Sequence, residues 1–266
     1  MYSILKMELG LSGKVAIVTG GARGIGGSIV EGFAREGASV VIGDILFDAA
    51  QELAAKLAQG GSRAIAVKTD VSRKSDADNL AAVTMKEFGK IDILVNAAGI
   101  VRDTRLVDIE EAEWEQIIGV NAKGVYLVTK AVAPHMIAAR YGKIVNISSR
   151  SGKDAQAGLS HYGASKFAVI GFTQAIAKEL AEYDINVNAV CPGILRTDMW
   201  EKILDIRSAR YGIPREEIWA RMMDSIPLKR PQLPEDIANV VLFLSSDVSR
   251  NITGEAISVN GGARMD

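Results

Sequence analysis

Short apolar runs of strand length alternate with longer amphipathic stretches along the chain, and few folds tolerate that rhythm. Lys14–Thr19, Ser39–Asp44, Ala64–Thr69 and Ile91–Asn96 read as strands, separated by helical patterns over Gly24–Glu36, Asp48–Gln59 and Lys74–Phe88. The second half repeats the scheme. Asp108–Arg140 is helical, with Pro134 expected to kink or end a segment. Lys143–Ser148, Ile185–Val190 and Glu255–Val259 are strands. Tyr162–Tyr183 and Pro234–Ser245 are helices, the second opening on a proline whose missing N–H costs little there. Crossovers between such strands are right-handed and build a parallel sheet. Runs that are apolar on both faces require helices on both sides of it. The expected class is therefore α/β.

One segment departs from the rhythm. Ile194–Gln232 carries Trp200, Trp219 and three prolines, and it is too long for an ordinary connection. It reads as a partly helical lid or substrate loop, about 194–232. With no repeat, linker or low-complexity tract, 1–266 reads as a single domain. The net charge of -1 gives no positive field to hold nucleic acid. Cys191 is the one cysteine, so neither an internal disulfide nor a thiolate metal site is available. The two histidines, His135 and His161, lie far apart in the chain, and no metal is expected. Met1–Gly10 reads as a short leader and no apolar run reaches membrane-spanning length, so a cytoplasmic protein is expected.

Thr19-Gly20-Gly21-Ala22-Arg23-Gly24-Ile25-Gly26 joins the first strand to the first helix. Glycines there let backbone N–H groups approach a diphosphate, and the helix N-terminus adds partial positive charge. The spacing is G-x-x-x-G-x-G rather than G-x-G-x-x-G, and a glycine-rich turn can also stand without a ligand. Asp44 ends the second strand, twenty residues after Gly24, where a carboxylate can accept both ribose hydroxyls of an adenosine. It would repel a 2′-phosphate, so it favours NAD, while Arg23 pulls towards NADP. The alternative role for Asp44 is to cap a turn.

Tyr162 and Lys166 are one helical turn apart and share a face. An ammonium beside a phenol favours the phenolate. Holding a tyrosine near neutrality instead of at about 10 asks for roughly 4 kcal/mol, within reach of a contact cation in a partly desolvated site. Such a group can exchange a proton with an alcohol or carbonyl. By itself the pair fits a cation packed on an aromatic face equally well. Ser148 and Ser149 close the fifth strand at the sheet edge where ligands bind, or simply turn the chain.

Taken together the motifs resemble those of the short-chain dehydrogenase/reductase family, from about Gly13 to Gly262. They are Thr19-Gly20-x-x-x-Gly24-x-Gly26, Asp70, Asn96-Ala97-Ala98-Gly99, Asn121-Ala-Lys-Gly124, Ser149, Tyr162-x-x-x-Lys166, Pro192-Gly193 and Thr197. The resemblance implies a doubly wound Rossmann fold with seven parallel strands. It implies Tyr162 as general acid/base, Ser149 bonded to the reacting oxygen, and Lys166 lowering the tyrosine pKa and binding the nicotinamide ribose. Asn121 is implied to hold a relay water. It further implies Gly20, Arg23, Gly24, Ile25, Gly26 and Asp44 at the diphosphate and ribose, Asp70 and Val71 at the adenine, and Asn96, Ala98 and Gly99 along the adenosine and supporting the sheet. Pro192, Gly193, Leu195 and Thr197 fall at the nicotinamide. A homotetramer built on the helices of Asn121 and Tyr162 is implied too.

Cys191 reads as a small core residue, and His161 as a partly exposed helix-start histidine. The substrate is expected to be a small alcohol or ketone. The lid, with Ser149–Lys153, is similar to members acting on sugar alcohols or their phosphates. Rival readings are a 3-oxoacyl-thioester or hydroxysteroid-type carbonyl reductase and, more remotely, a nucleotide-binding regulator without catalysis. Arg150 and Lys153 would meet an anionic group or remain solvated loop charges. Trp200 would wall the pocket or pack the lid.

Overall fold

The computed structural model describes residues 8–196 and 198–264. Seven strands form one parallel sheet: β1 (Val15–Thr19), β2 (Ser39–Asp44), β3 (Ala64–Lys68), β4 (Ile93–Asn96), β5 (Gly142–Ile147), β6 (Ile185–Pro192) and β7 (Ala256–Val259). Their order is β3-β2-β1-β4-β5-β6-β7, so the winding reverses between β1 and β4. That reversal opens a crevice at the carboxyl ends of the strands, where open α/β sheets bind ligands.

The two faces of the sheet are read off β1. Ala16 and Val18 enter one apolar layer with Ile29 and Phe33 of α1 (Gly24–Arg35) and Val241 of α9 (Pro234–Leu244). Ile17, between them, enters the other with Leu80 of α3 (Lys74–Phe88), Val128 of α5 (Gly124–Ala139) and Ala177 of α6 (Ser160–Leu180). This period of two on strands buried on both sides is why the runs are continuously apolar. The second helix, α2, spans Phe47–Gln59.

The expected break at Pro134 is absent: α5 runs through it. Pro134 is exposed, so the carbonyl deprived of its partner faces water. The irregularity falls earlier. Between α4 (Glu111–Ile118) and α5 lies a π-helical turn, Gly119–Lys123, with Asn121 at its centre. Such turns mark positions where function or packing outweighs regular hydrogen bonding.

The segment expected as a lid folds into α7 (Asp198–Tyr211) and α8 (Arg215–Asp224). This segment is tied to the body by a buried carboxylate. Asp103 accepts Arg207 Nε at 2.7 Å and Arg210 Nη1 at 2.5 Å, and its carbonyl takes Arg210 Nη2 at 2.8 Å. Asp103→Asn removes the countercharge of two guanidiniums and is expected to loosen α7. Amide hydrogen exchange of residues 200–211 should quicken by about tenfold or more. Unchanged protection there would show that apolar packing alone holds the helix.

Candidate active site

The turn after β1 is a cradle of bare backbone. A Cβ on Gly20 would lie 2.6 Å from the Ala98 Cα, and one on Gly26 would overlap the Gly20 carbonyl oxygen. Side chains are excluded there by contact, and the first N–H groups of α1 at Gly24, Ile25 and Gly26 have no partner within the helix. Thr19 Oγ1 accepts the N–H groups of Ala97 and Ala98 at 3.2 and 3.3 Å, locking the ends of β1 and β4 together. Asp44 accepts Ala22 N–H and Leu46 N–H, both at 2.9 Å. It therefore caps turns, as one reading held, and in doing so fixes a carboxylate beside the glycine turn. Arg23 is exposed at the start of α1. This set fits a dinucleotide: bare N–H groups for the diphosphate and a pinned carboxylate for ribose hydroxyls.

Asp70 follows β3 and accepts Ser72 N–H and Oγ–H at 3.0 and 2.6 Å. Val71 is buried against Gly124. The Asn96 side chain supports the sheet. It is buried, and its amide donates to Thr129 Oγ1 at 3.1 Å and Asn146 Oδ1 at 2.9 Å, so it ties the sheet to α5. Only the Asn96 backbone reaches the strand end, with Ala98 and Gly99 beyond it. Pro192 ends β6, Gly193 N–H donates to Val259 O at 3.0 Å, and Leu195 is buried in the core. Thr197 lies outside the described residues.

Ser149, Tyr162 and Lys166 come together at the end of β5. Ser149 opens a 3-10 turn, Arg150–Gly152, and its Oγ accepts Ser151 N–H at 3.1 Å. That turn is welded to α6: Ser148 Oγ donates to the Lys166 carbonyl at 2.9 Å, and a Cβ on Gly152 would lie 2.7 Å from the same oxygen. Lys166 Nζ donates to the Ile147 carbonyl at 2.9 Å and lies 5.8 Å from the centre of the Tyr162 ring. Asn121 is fully buried. Its Oδ1 accepts Ile100 N–H at 2.8 Å, and its Nδ2 donates to Ile100 O and Ser165 Oγ at 2.8 and 3.0 Å. The side-chain amide is thus spent on joining the post-β4 loop to α6.

The electrostatics differ from the sequence expectation. Burial pushes the Tyr162 phenol above its ordinary value, a hydrogen bond from Ser149 pulling it partly back. Burial also lowers Lys166 to about 8. Burial thus disfavours the charged form of both groups, and their pKa values move apart.

Ser149 and Tyr162 line a small cavity of about 40 Å³ with Arg150, Leu159, Trp200 and Ile203. Trp200 thus walls the pocket. Lys153 does not line it; its Nζ donates to Ala256 O at 2.5 Å and to Ser258 Oγ at 3.1 Å on and beside β7. His161 is fully buried rather than partly exposed, with Nε2 3.0 Å from Glu113 Oε1. Cys191 is buried, as a core residue should be. Among the described residues no three metal-ligating side chains cluster, and no helix is long and apolar enough to cross a membrane.

Comparison with known proteins bears directly on this geometry. Residues 14–207 match the model of the short chain dehydrogenase family. The chain is 43% identical over 257 residues to the 3-oxoacyl-(acyl-carrier-protein) reductase FabG of Thermotoga maritima, covering 95% of this chain and 98% of that one. It is 40% identical to the protein of the same name in Aquifex aeolicus, covering 96% and 99%. It is 37% identical to the (2S)-((R)-hydroxy(phenyl)methyl)succinyl-CoA dehydrogenase subunit BbsD of Thauera aromatica, covering 97% and 99%. With the crevice, the glycine cradle and the Ser149–Tyr162–Lys166 cluster in place, the chain belongs to the short-chain dehydrogenase/reductase family, an oxidoreductase of CH–OH groups.

Proposed function

We propose that the protein interconverts a secondary alcohol and its ketone with NAD(H), on a 3-hydroxyacyl or 3-oxoacyl compound. The observation that supports the reaction is that Ser149 and Tyr162 line one cavity, with Lys166 Nζ 5.8 Å from the centre of the Tyr162 ring. The acyl assignment is supported by the relatives named 3-oxoacyl-(acyl-carrier-protein) reductase. The sugar-alcohol expectation rested on the lid and Ser149–Lys153, and those names favour the acyl reading over it.

The chemistry supplied by bound NAD(H) is hydride exchange with the carbon bearing the substrate oxygen. Tyr162 holds the proton that passes to that oxygen in reduction and takes it back in oxidation. Ser149 donates a hydrogen bond to the same oxygen as its charge develops. Lys166, with an ammonium near neutrality in its pKa, stabilises the phenolate and is resupplied with protons along the Asn121 turn. Trp200, Leu159 and Ile203 exclude water from the reacting atoms. Turnover of 3-oxobutanoyl thioester against a panel of sugar alcohols, read by NADH absorbance, tests the substrate class. A sugar alcohol preferred over the thioester would overturn the acyl reading.

Asp44 carries the cofactor preference. A 2′-phosphate would face a carboxylate that is already held by two N–H groups and cannot swing away. We expect kcat/KM for NAD to exceed that for NADP by about 100-fold, the size of a close charge repulsion in a partly screened site. A preference for NADP in initial-rate measurements would show that Arg23 outweighs Asp44. The exposed Tyr126 on α5 and Phe167 on α6 support a homo-oligomer through that face, a tetramer by family resemblance. A lone buried cysteine accords with a reducing, cytoplasmic setting.

A further inference from the structure

Four cations belong to the region around the cavity, and three of them are committed elsewhere. Arg207 and Arg210 are both held by the Asp103 carboxylate. Lys153 is turned to β7. Arg150 is the cation that lines the cavity, next in the chain to Ser149, and no carboxylate lines it among the described residues. The groups facing its half-buried guanidinium are the Gln156 amide oxygen, which accepts from it, Asp154, which attracts it, and Arg207, which repels it. Burial depresses its pKa from the ordinary value, consistent with a charge short of compensation.

We propose that Arg150 is a specificity residue that binds a carboxylate carried by the substrate, close to the carbon that reacts at Ser149 and Tyr162. A planar guanidinium presents two parallel N–H groups that match a carboxylate. A phosphate dianion would ask for a second cation free to reach it, and the guanidiniums of Arg207 and Arg210 are both bound to the Asp103 carboxylate. The cavity of about 40 Å³ also suits a compact group. The carboxylate has two sources, a free hydroxy or oxo acid, or a second acid group on an acyl thioester. The proposal rests on the alcohol–ketone reading above, whose substrate it narrows.

Two matched pairs test it: 3-hydroxybutanoate with its methyl ester, and the N-acetylcysteamine monothioester of 3-hydroxyglutarate with the thioester of 3-hydroxybutanoate. We expect one anionic member to exceed its neutral partner in kcat/KM by about 30-fold, the scale of a charge-assisted bidentate contact. Whichever pair shows the preference names the source. Arg150→Met should bring that ratio to within about threefold of unity, and Arg150→Lys should keep part of it. Neutral members equal to or better than both anionic ones in the unaltered protein, or a preference that survives Arg150→Met, overturns the proposal. A separate binding arm needs no turnover: butanoate against methyl butanoate by saturation-transfer NMR. Butanoate binding that weakens in Arg150→Met supports the site, and equal binding of acid and ester overturns it. Absence of turnover across all four alcohols with NAD sinks the alcohol–ketone reading instead, leaving the binding arm to judge Arg150.

Discussion

Tyr162→Phe is expected to lower kcat by about a thousandfold while the dissociation constant for NADH changes by less than about threefold. The phenol oxygen is the one atom lost. On the proposed reading it is the proton carrier of the site, and the Ser149 hydroxyl in the same cavity wall does not titrate in its place. The ring stays, so the packing of α6 and the cavity wall persist. On the proposed reading cofactor binding rests mostly on the glycine cradle and Asp44, to which that oxygen contributes nothing. Stopped-flow turnover and fluorescence titration with NADH check the two halves separately. A variant that retains a tenth of the rate would remove Tyr162 from its role.

Lys166→Met should abolish turnover by a similar factor and yet make the cofactor-free protein more stable near neutral pH. The ammonium is 4% exposed and is held by one backbone carbonyl, which offers partial charge but no countercharge. Burial brings its pKa from 10.5 to about 8, and at neutral pH this corresponds to about 3 kcal/mol of destabilisation. Methionine removes that cost and gives up the bond to Ile147, worth roughly 1 kcal/mol, for a net gain of about 2 kcal/mol. In a chain of this size the midpoint of thermal unfolding should rise by roughly 5 °C at pH 7.

The direction with pH follows from the depressed value. Below about pH 8 the lysine is charged in both folded and unfolded chains, and the full penalty applies. Between about 8 and 10.5 the folded protein sheds the proton that the unfolded chain still holds, so the penalty fades as pH rises. The advantage of the methionine variant over the unaltered protein should therefore shrink across that window. Calorimetry at pH 7 and at pH 10 without cofactor measures both. A variant less stable than the parent at pH 7 would mean that the Ile147 bond outweighs the burial of charge.

Local signals made the frame legible. The residues of β2 and α3 were read to their ends because each is closed by punctuation in the chain, Gly37 before β2 and Gly89, at φ +74°, after α3. The turn after β1 and the Tyr162–Lys166 pair are also local, one a glycine pattern and the other a helical spacing. What escaped depends on partners distant in sequence. His161 is buried because Glu113, 48 residues earlier, meets its ring. Lys153 leaves the pocket because β7 offers it acceptors more than a hundred residues away. The π-helical turn exists where Asn121 reaches Ile100. Asp103 went unnoticed altogether. Nothing in its neighbourhood marks it, and its two arginines arrive with α7. Helical spacing states which groups are near, while the depth of burial that raises the Tyr162 pKa is set by the whole fold.

The weld between the 150–152 turn and α6 separates two things that evolution would need to vary independently. Ser148 and Gly152 hold the backbone of that turn through the Lys166 carbonyl, using no atom of the side chain at 150. Whatever residue occupies 150 inherits a place beside the reacting oxygen, and exchanging it leaves the proton machinery where it stands. A scaffold arranged in this way can acquire a new diet by a single codon change, which makes position 150 a natural first target for redesign.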